Sequence, residues 1–302
     1  MGSNAATAST YGVGCYSSYA TFYETFSQGT FDLSGTSSTT VTLVLTPNGN
    51  GFDVQSGGNV WNNPTTGNLG LGDDSVTSPI TLPFTFNYPG GSTNQVRMCS
   101  NGYVWLNGSS TLADYTPTIA EYCAQQPRLA PLWVDLNPAS GGSTHYHSTG
   151  SAVYFTWLSV PPYGSSSPTN TLQCVIRNTG VVEYRYRSVA NIPQGGLVAW
   201  SRSNNSPVPP MIDITASLPF SVSVTGTGLA FVPIGRPVQG TTMTMNATNM
   251  PAGTNLAGVF FGFTQYPSGL GLSGIGMPGC YQYCSQEFVF STAVGGSTHG
   301  FQ

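Results

Sequence analysis

The sequence predicts an all-β protein: an antiparallel β-sandwich of jelly-roll type, followed by a small and incomplete immunoglobulin-like β-module. Apolar and polar residues alternate over short runs that are separated by Gly, Pro and Asn, which is typical of strands joined by tight turns. The long segments of 3.6-residue period that helix-crossover folds need do not occur in the sequence. We predict that residues 1–234 form the sandwich domain and residues 235–302 the module.

The segment spanning residues 82–138 carries the clearest strand pattern. Phe84 and Phe86 fall on one face of a predicted strand, because alternate side chains of a strand point the same way. The dipeptide Asn101-Gly102 is a strong signal for a two-residue hairpin turn. Further runs of strand character occupy residues 40–46, 96–99, 103–106, 132–136, 144–147, 152–157, 171–177, 181–187, 197–201 and 220–224. In the run 181–187, alternation predicts that Tyr184 and Tyr186 point inward and that Glu183 and Arg185 point outward.

One aromatic-rich stretch near the start has a helical period. Its large side chains recur at spacings of three and four residues, which predicts a short helix packed on the edge of the sandwich. The residues concerned are Tyr16, Tyr19, Phe22, Tyr23 and Phe26.

The sequence changes character near residues 232–235, where we predict the domain boundary. Beyond it, residues 241–247, 259–263 and 287–290 have strand patterns. A free-standing immunoglobulin-like sandwich needs about seven strands. The module is therefore predicted to be incomplete and to have an open edge.

The composition limits the functions that the chain can serve. Only 6% of the residues are charged, the 7 basic residues are all Arg, and the net charge is −4. Without a basic patch, binding to nucleic acid is excluded, because that binding depends on neutralising phosphates. A weakly charged surface suits an extracellular or assembled β-protein. No apolar run approaches the roughly 20 residues that span a bilayer, and no signal peptide is visible in residues 1–10, so we expect a mature secreted chain.

Six cysteines are distributed along the chain without a C-x-x-C pair. An even count of this kind favours disulfides formed in an oxidising compartment over a zinc ribbon. The alternative is that several of them are buried thiols. The disulfide candidates are Cys15, Cys99, Cys123, Cys174, Cys280 and Cys284, and the spacing does not choose a pairing.

Two sets of residues are candidate metal ligands. His145 and His147 lie two apart on a predicted strand, so both point to one face, where they bind a metal or only hydrogen-bond to neighbours. Asp73 and Asp74 lie in a Gly-rich loop, where carboxylates suit Ca²⁺ or act as turn residues. Asp135 ends a strand, and we expect it to bond backbone amides of the following turn. Ca²⁺ is the one cofactor for which the sequence offers any support.

Four aromatic residues lie on strand faces where rings can stack on sugars. They are candidate ligand-binding residues, although alternate aromatics on strands more often belong to a core. These residues are Tyr103, Trp105, Tyr146 and Tyr154.

The central segments occur in an order that resembles a known family. VRMCSNGYVWL is followed by LAPLWVDLNP, then AVYFTWLSV, NTLQCVI and GVVEYRYR, over roughly residues 80–190. An S-N-G turn, a P-x-W-x-D segment and paired T-x-Q and G-x-V-x-Y-x-Y strands resemble the nidogen-like extracellular β-domain. The whole chain is also similar to uncharacterised secreted two-domain proteins of bacteria. The resemblance implies secretion and two β-domains, and it carries no activity with it.

Three functions are consistent with these features. The first is a structural or adhesive protein, extracellular or on the cell surface, that assembles into filaments with other copies by adding a strand to the open edge of the module. The second is a carbohydrate-binding module with extracellular glycans as partners. The third is a secreted polysaccharide hydrolase, which needs two carboxylates, from Asp114, Glu121 and Asp135. The sequence favours the first and a role that is not enzymatic.

Overall fold

The computed structural model describes most of the chain and divides it into two compact units. The described residues are 19–167, 169–189, 192–223, 230–235, 238, 240–248, 250, 256–272, 281–294 and 298–301. Residues Tyr19–Val224 form the first unit. The sequence predicts the boundary after residue 234, whereas the first unit ends at Val224. The strand Ala230–Ile234 pairs with a strand of the second unit and therefore belongs to it.

The described elements are almost all strands. In chain order they are β1 (Phe22–Phe26), β2 (Val41–Pro47), β3 (Gly51–Ser56), β4 (Ile80–Tyr88), β5 (Gly91–Met98), β6 (Val104–Trp105), α1 (Ile119–Ala124), β7 (Arg128–Trp133), β8 (Ser143–Ser148), β9 (Ala152–Val160), β10 (Asn170–Arg177), β11 (Val182–Val189), β12 (Gly196–Trp200), α2 (Ile214–Ser217), β13 (Phe220–Ser223), β14 (Ala230–Ile234), β15 (Thr244–Thr248), β16 (Leu256–Phe261), β17 (Gln265–Gly271), β18 (Tyr281–Cys284), β19 (Phe288–Ala293) and β20 (Thr298–Phe301).

Two antiparallel sheets make up the first unit. The first sheet has the strand order β1-β12-β7-β6-β5-β4, and the second has the order β13-β3-β2-β11-β10-β9-β8. In each sheet, neighbouring strands can be distant in sequence, as β1 and β12 are in the first sheet and β2 and β11 in the second. The predicted all-β fold and antiparallel sandwich are confirmed.

The core between the sheets is held by aromatic contacts and by hydroxyl groups that cross it. The Phe52 ring of the second sheet lies 4.9 Å from the Trp200 ring of the first. The Tyr184 hydroxyl donates to the Ala199 carbonyl at 3.0 Å, and the Tyr186 hydroxyl donates to the Pro131 carbonyl at 2.6 Å. These bonds satisfy buried polar groups, so they fix the position of one sheet on the other. The sequence prediction that both tyrosines point inward is confirmed.

The outer face of the second sheet is covered by the loop between β3 and β4. Glu183 and Arg185, predicted to point outward, do so, yet they are 7% and 0% exposed. Arg185 Nη1 donates to Asn62 Oδ1 at 2.7 Å, and Gln173 Nε2 donates to the Asn62 carbonyl at 2.9 Å. Two hydrogen bonds therefore attach the loop to a buried polar network on this face of the sheet.

The predicted helix near the start is wrong in the part that the structure describes. Phe22–Phe26 is strand β1, which pairs with β12 at the edge of the first sheet. Phe22 and Phe26 are both buried, and their spacing of four satisfies the strand period of two as well as the helical period. Tyr16 lies outside the described residues.

The two α-helices of the described residues are short, and a 3₁₀ helix covers Pro138–Ser140. Helix α1 was not predicted, and its start is capped by the Thr118 hydroxyl, which accepts from Glu121 N at 3.3 Å. Asp213 caps α2 in the same way, with Oδ1 accepting from Ala216 N at 2.8 Å. Among the described residues, no helix has the length and hydropathy that crossing a bilayer requires.

The second unit contains three small sheets in its described part. They are β14-β15-β20, the pair β16-β19, and the pair β17-β18. Its buried apolar cluster is Ala247, Met250 and Val294, with Ala257 and Phe301 packed against it. The strands predicted around residues 241–247, 259–263 and 287–290 correspond to β15, β16 and β19.

Candidate functional site

The predicted S-N-G turn fastens three segments of the first unit together. Asn101 is fully buried, and its Nδ2 donates to Asp74 Oδ1 at 2.8 Å and to the Ala113 carbonyl at 3.0 Å. Its Oδ1 accepts from Leu136 N at 3.0 Å. One amide side chain therefore holds the loop of Asp74 against the segment after β7 that carries Asp135.

Three carboxylates meet at this place. One oxygen of each of Asp73, Asp74 and Asp135 lies within 4.8 Å of the others. Asp135 is only 6% exposed, and its carboxylate has no hydrogen-bond partner among the described residues. Asp73 Oδ1 is also buried without a partner. We call Asp73, Asp74 and Asp135 the aspartate triad.

The electrostatics of the aspartate triad reflect its crowding. Burial raises the pKa of Asp135 to about 6, and the charges of Asp74 and Asp73 add to the rise. Burial and the neighbouring Asp74 also raise the pKa of Asp73. Sequence analysis singled out all three residues, but it had Asp135 bonded to backbone amides. The structure instead leaves that carboxylate facing two others.

The two predicted histidine ligands lie elsewhere, on strand β8. His145 Nδ1 lies 3.0 Å from the Thr66 carbonyl and Nε2 lies 2.8 Å from Ser143 Oγ. His147 stacks on the Tyr154 ring, with centroids 4.9 Å apart. Within the described ranges, the groups of three or more possible ligands are the aspartate triad and Glu24 with Asp32 and Asp213, so neither contains a histidine.

The second acidic group surrounds helix α2. Glu24 Oε2 accepts from Ile214 N at 2.8 Å, and Asp32 and Asp213 both accept from the Thr215 hydroxyl. Burial raises the pKa of Glu24 to about 7, against a lowering by the Ile214 bond, and the Asp32 and Asp213 charges raise it further. These bonds give every member of the group a structural partner.

Replacing Glu24 with Gln is expected to make stability less sensitive to pH. Because folding raises the Glu24 pKa above 4.5, its contribution to stability is present below about pH 4.5 and is lost as pH rises through about 7. Glu24→Gln keeps an acceptor for Ile214 N and removes the charge. The variant should match the wild type near pH 4 and exceed it by about 1–2 kcal/mol at pH 8, after discounting for partial exposure. Urea unfolding across this pH range measures the difference, and parallel curves would contradict the prediction.

The predicted sugar-stacking role fails for two of its four aromatics. Tyr103 and Trp105 are fully buried on the outer face of the first sheet, so neither ring can present a face to a sugar. Tyr154 is 7% exposed, and the half-buried Tyr146 packs on Phe155 with centroids 5.4 Å apart. For Tyr146 and Tyr154 the ligand-binding role stays a prediction.

Tyr103 and Trp105 form part of a cage around Arg128, which sequence analysis missed. The guanidinium carbon lies 3.9 Å from the Trp133 ring centroid and 4.6 Å from that of Trp105, with Tyr103 and Tyr122 at 4.9 and 5.0 Å. Arg128 is fully buried, and none of its guanidinium nitrogens has a hydrogen-bond partner among the residues that the structure describes. An Arg that opens the otherwise apolar run RLAPLW was the available signal. We call these five residues the Arg128 cage.

In the described part of the chain, Glu121 is the one carboxylate paired with Arg128, and the two groups are not in direct contact. Arg128 Nη2 lies 3.8 Å from Glu121 Oε1, too far for a hydrogen bond. Burial lowers the pKa of Arg128, but an arginine side chain stays charged at neutral pH. The aromatic faces therefore supply most of the stabilisation that this buried cation receives.

The disulfide prediction is not confirmed, because the cysteines that the structure describes form no disulfide. Cys99, Cys123, Cys174 and Cys284 are all free. Burial raises the pKa of the Cys99 thiol to about 11 and raises that of Cys174 further, so both stay protonated. Cys99 lies in the outer aromatic cluster and Cys174 in the core, so apolar surroundings explain them as buried thiols. Cys15 and Cys280 lie outside the described residues.

The carboxylates named for hydrolysis fall into two places. Burial raises the pKa of Glu121, and the charge of the neighbouring Asp114 raises it further. Asp135 instead belongs to the aspartate triad. A depression of about 320 Å³ lies where β1 ends and β12 begins, and its lining has no titratable side chain. It is lined by Thr25, Phe26, Ser27, Gln28, Pro117, Pro193, Gln194, Gly195 and Gly196.

Strands β16 and β19 of the second unit expose apolar side chains on both faces. Val259 pairs with Phe290, Phe260 with Val289, and Phe261 with Phe288, and pairs that lie directly opposite share a face. The exposed large side chains on the two strands are Leu256, Phe260, Phe261, Phe288, Val289 and Phe290, each more than two-fifths exposed. Neither strand contains a charged residue. We call this two-stranded sheet of β16 and β19 the apolar strand pair.

One comparison with known proteins gives a match. A family model described as NIDO related matches residues 25–206, more than half of the chain. The match spans the aspartate triad, Asn101 and the Arg128 cage. No curated protein and no solved structure matches the chain.

Proposed function

The chain belongs to the NIDO-related family and is an extracellular β-protein, and from this premise we propose that it is a structural protein that self-associates through its second unit. In this proposal the apolar strand pair of one copy packs against the apolar strand pair of another. The observation that carries it is the exposed apolar surface on both faces of that strand pair.

The first support is the free energy that would be released if the exposed apolar side chains were buried. Phe290 is 57% exposed, Val289 55% and Leu256 68%. Removing apolar surface from water stabilises an association by about 25 cal/mol per Å² before the costs of binding are deducted. A contiguous exposed apolar surface on a soluble protein usually marks an interaction site.

The second support is the pairing of the strands. Within the described residues, β16 and β19 pair only with each other. A two-stranded sheet is marginally stable in water, and a third strand or a packed partner stabilises it. Edge strands are commonly protected from such pairing by lysines, and the chain contains none.

The third support concerns the identity of the partner. The apolar strand pair carries no charge, so it complements a surface that is also uncharged and apolar. A second copy offers that surface, and with only 6% charged residues and a net charge of −4 the copies repel each other weakly. An isologous contact of this kind needs no other molecule.

Light scattering coupled to gel filtration tests the proposal with two matched variants. Val289→Lys places a charge on the apolar strand pair, at a valine that is 55% exposed. Val208→Lys places a charge at a similarly exposed valine of the first unit, which is 44% exposed. We expect the wild type and Val208→Lys to rise above the monomer mass of 31.7 kDa as concentration increases, and Val289→Lys to remain at that mass.

Either of two results would refute the proposal. One is a wild-type chain that stays at the monomer mass at every concentration. The other is an equal loss of association in both variants, which would show that the added charge matters wherever it lies. Circular dichroism of each variant establishes that it is folded.

A further inference from the structure

We propose that the aspartate triad is a Ca²⁺ site. It lies in the first unit and is independent of the association proposed for the second unit. Asp73 and Asp74 supply ligands from the loop before β4, and Asp135 supplies one from the end of the segment after β7.

The separation of the oxygens suits one hard cation. Ca²⁺ binds carboxylate oxygens at about 2.3–2.6 Å, so two ligands on opposite sides of the ion are roughly 5 Å apart. The three oxygens of the triad lie within 4.8 Å of one another. A single Ca²⁺ can therefore contact one oxygen from each aspartate, with water or carbonyl oxygens completing the shell.

The burial of Asp135 separates the triad from an ordinary acidic surface cluster. The residue as a whole is 6% exposed, its carboxylate faces two others, and that carboxylate has no hydrogen-bond partner in the described part of the chain. Asp73 Oδ1 is buried without a partner as well. Buried charges are normally paired or bound to a metal, because burying them alone is costly. A bound cation supplies the missing partner for both.

The surrounding bonds hold the ligands in place before an ion arrives. Asn101 Nδ2 holds Asp74 Oδ1, while Asn101 Oδ1 holds the backbone one residue after Asp135. The aspartate loop is tied down next to Asp74, where Ser75 N donates to Ser100 Oγ at 3.0 Å and Ser100 N donates to the Ser75 carbonyl at 2.8 Å. A site assembled in advance loses little conformational entropy when it binds.

The ligand chemistry selects Ca²⁺ among the common ions. All three ligands are carboxylates, and neither histidine nor cysteine belongs to the group, which disfavours zinc and copper. Mg²⁺ demands near-octahedral geometry and gives up its water reluctantly, whereas Ca²⁺ accepts irregular oxygen shells. Extracellular Ca²⁺ modules bind with dissociation constants of about 10⁻⁴–10⁻³ M, and we expect this range here.

Calorimetric titration of the full chain with CaCl₂ after EDTA dialysis tests the proposal, with thermal unfolding as a second readout. We expect one ion per chain and a higher Tm in Ca²⁺. Asp135→Asn, which keeps the shape of the side chain, should weaken Ca²⁺ binding at least about tenfold by removing a charged ligand. Asp53→Asn changes a carboxylate that bonds Asn48 and Ser221 away from the triad and should bind like the wild type.

Three outcomes would overturn the site. The first is that Ca²⁺ binds neither the variants nor the wild type at millimolar concentration and leaves the Tm unchanged. Asp53→Asn could lose as much affinity as Asp135→Asn. Binding could also survive Asp135→Asn and be lost in Glu24→Gln, which would move the ion to the group around helix α2. An equal heat and affinity for Mg²⁺ would overturn the choice of Ca²⁺.

Discussion

Gly102→Ala is expected to prevent the first unit from folding stably. Gly102 has φ +78°, and a Cβ at this position would lie 1.8 Å from the Leu132 carbonyl oxygen. That oxygen belongs to the backbone of β7, so it cannot rotate away. Relief requires the S-N-G turn to separate from β7, which also breaks the bonds of Asn101. We expect a loss of more than about 4 kcal/mol in the free energy of unfolding, measured by urea denaturation or, if no folded protein forms, by circular dichroism.

Gly150→Ala is the matched control for this experiment. Gly150 has φ +75°, nearly the same backbone conformation, but a Cβ there would have open space. The control therefore isolates the cost of a left-handed alanine, about 1 kcal/mol. If Gly102→Ala and Gly150→Ala cost the same, the close approach of the turn to Leu132 has no consequence for stability.

Arg128→Ala is expected to have the second largest effect. The substitution removes a side chain enclosed by four aromatic rings, so it leaves a cavity and eliminates the cation–π contacts. Large-to-small core substitutions and desolvated cation–π contacts together predict a loss of about 3–5 kcal/mol. Urea denaturation followed by tryptophan fluorescence measures it, because Trp105 and Trp133 are part of the cage.

Two further variants separate charge from volume in the Arg128 cage. Arg128→Met fills the cage without a charge, and since it also avoids burying a cation, we expect it to recover most of the stability lost in the alanine variant. Arg177→Ala, at a side chain 39% exposed and paired with Glu183, should cost within about 1 kcal/mol. An Arg128→Ala variant no less stable than Arg177→Ala would contradict the structural role of the cage.

The alternation of side chains was enough to predict the sandwich. Tyr184 and Tyr186 point inward because a strand has a period of two, and nothing in the structure competes with that pattern. Phe22 and Phe26 misled because a spacing of four residues fits both periods, and pairing with β12, at least 170 residues away, selects the strand. Pairing partners at that distance leave no trace in a local pattern.

The candidate site was only partly predictable for a related reason. Asp73, Asp74 and Asp135 were each visible as carboxylates at turns, but their meeting depends on Asn101, which links segments distant in sequence. Arg128 was overlooked because charge normally indicates exposure. Its burial follows from helix α1 and from the aromatic residues of β6 and β7, which enclose it together. Tyr103 and Trp105 were likewise taken for surface aromatics because the layer above them is a loop.

That loop bears on how the protein tolerates change in length. The carbonyl of Leu112 accepts from the Tyr103 hydroxyl and from Trp105 Nε1, and the carbonyl of Asp114 accepts from Trp133 Nε1. Connecting segments usually accept insertions and protease cuts readily, because little depends on them. Here an inserted residue would leave the buried indole N–H and phenol O–H donors without acceptors. We therefore expect residues 112–114 to tolerate insertions poorly, so grafted sequences or affinity tags belong elsewhere in the molecule.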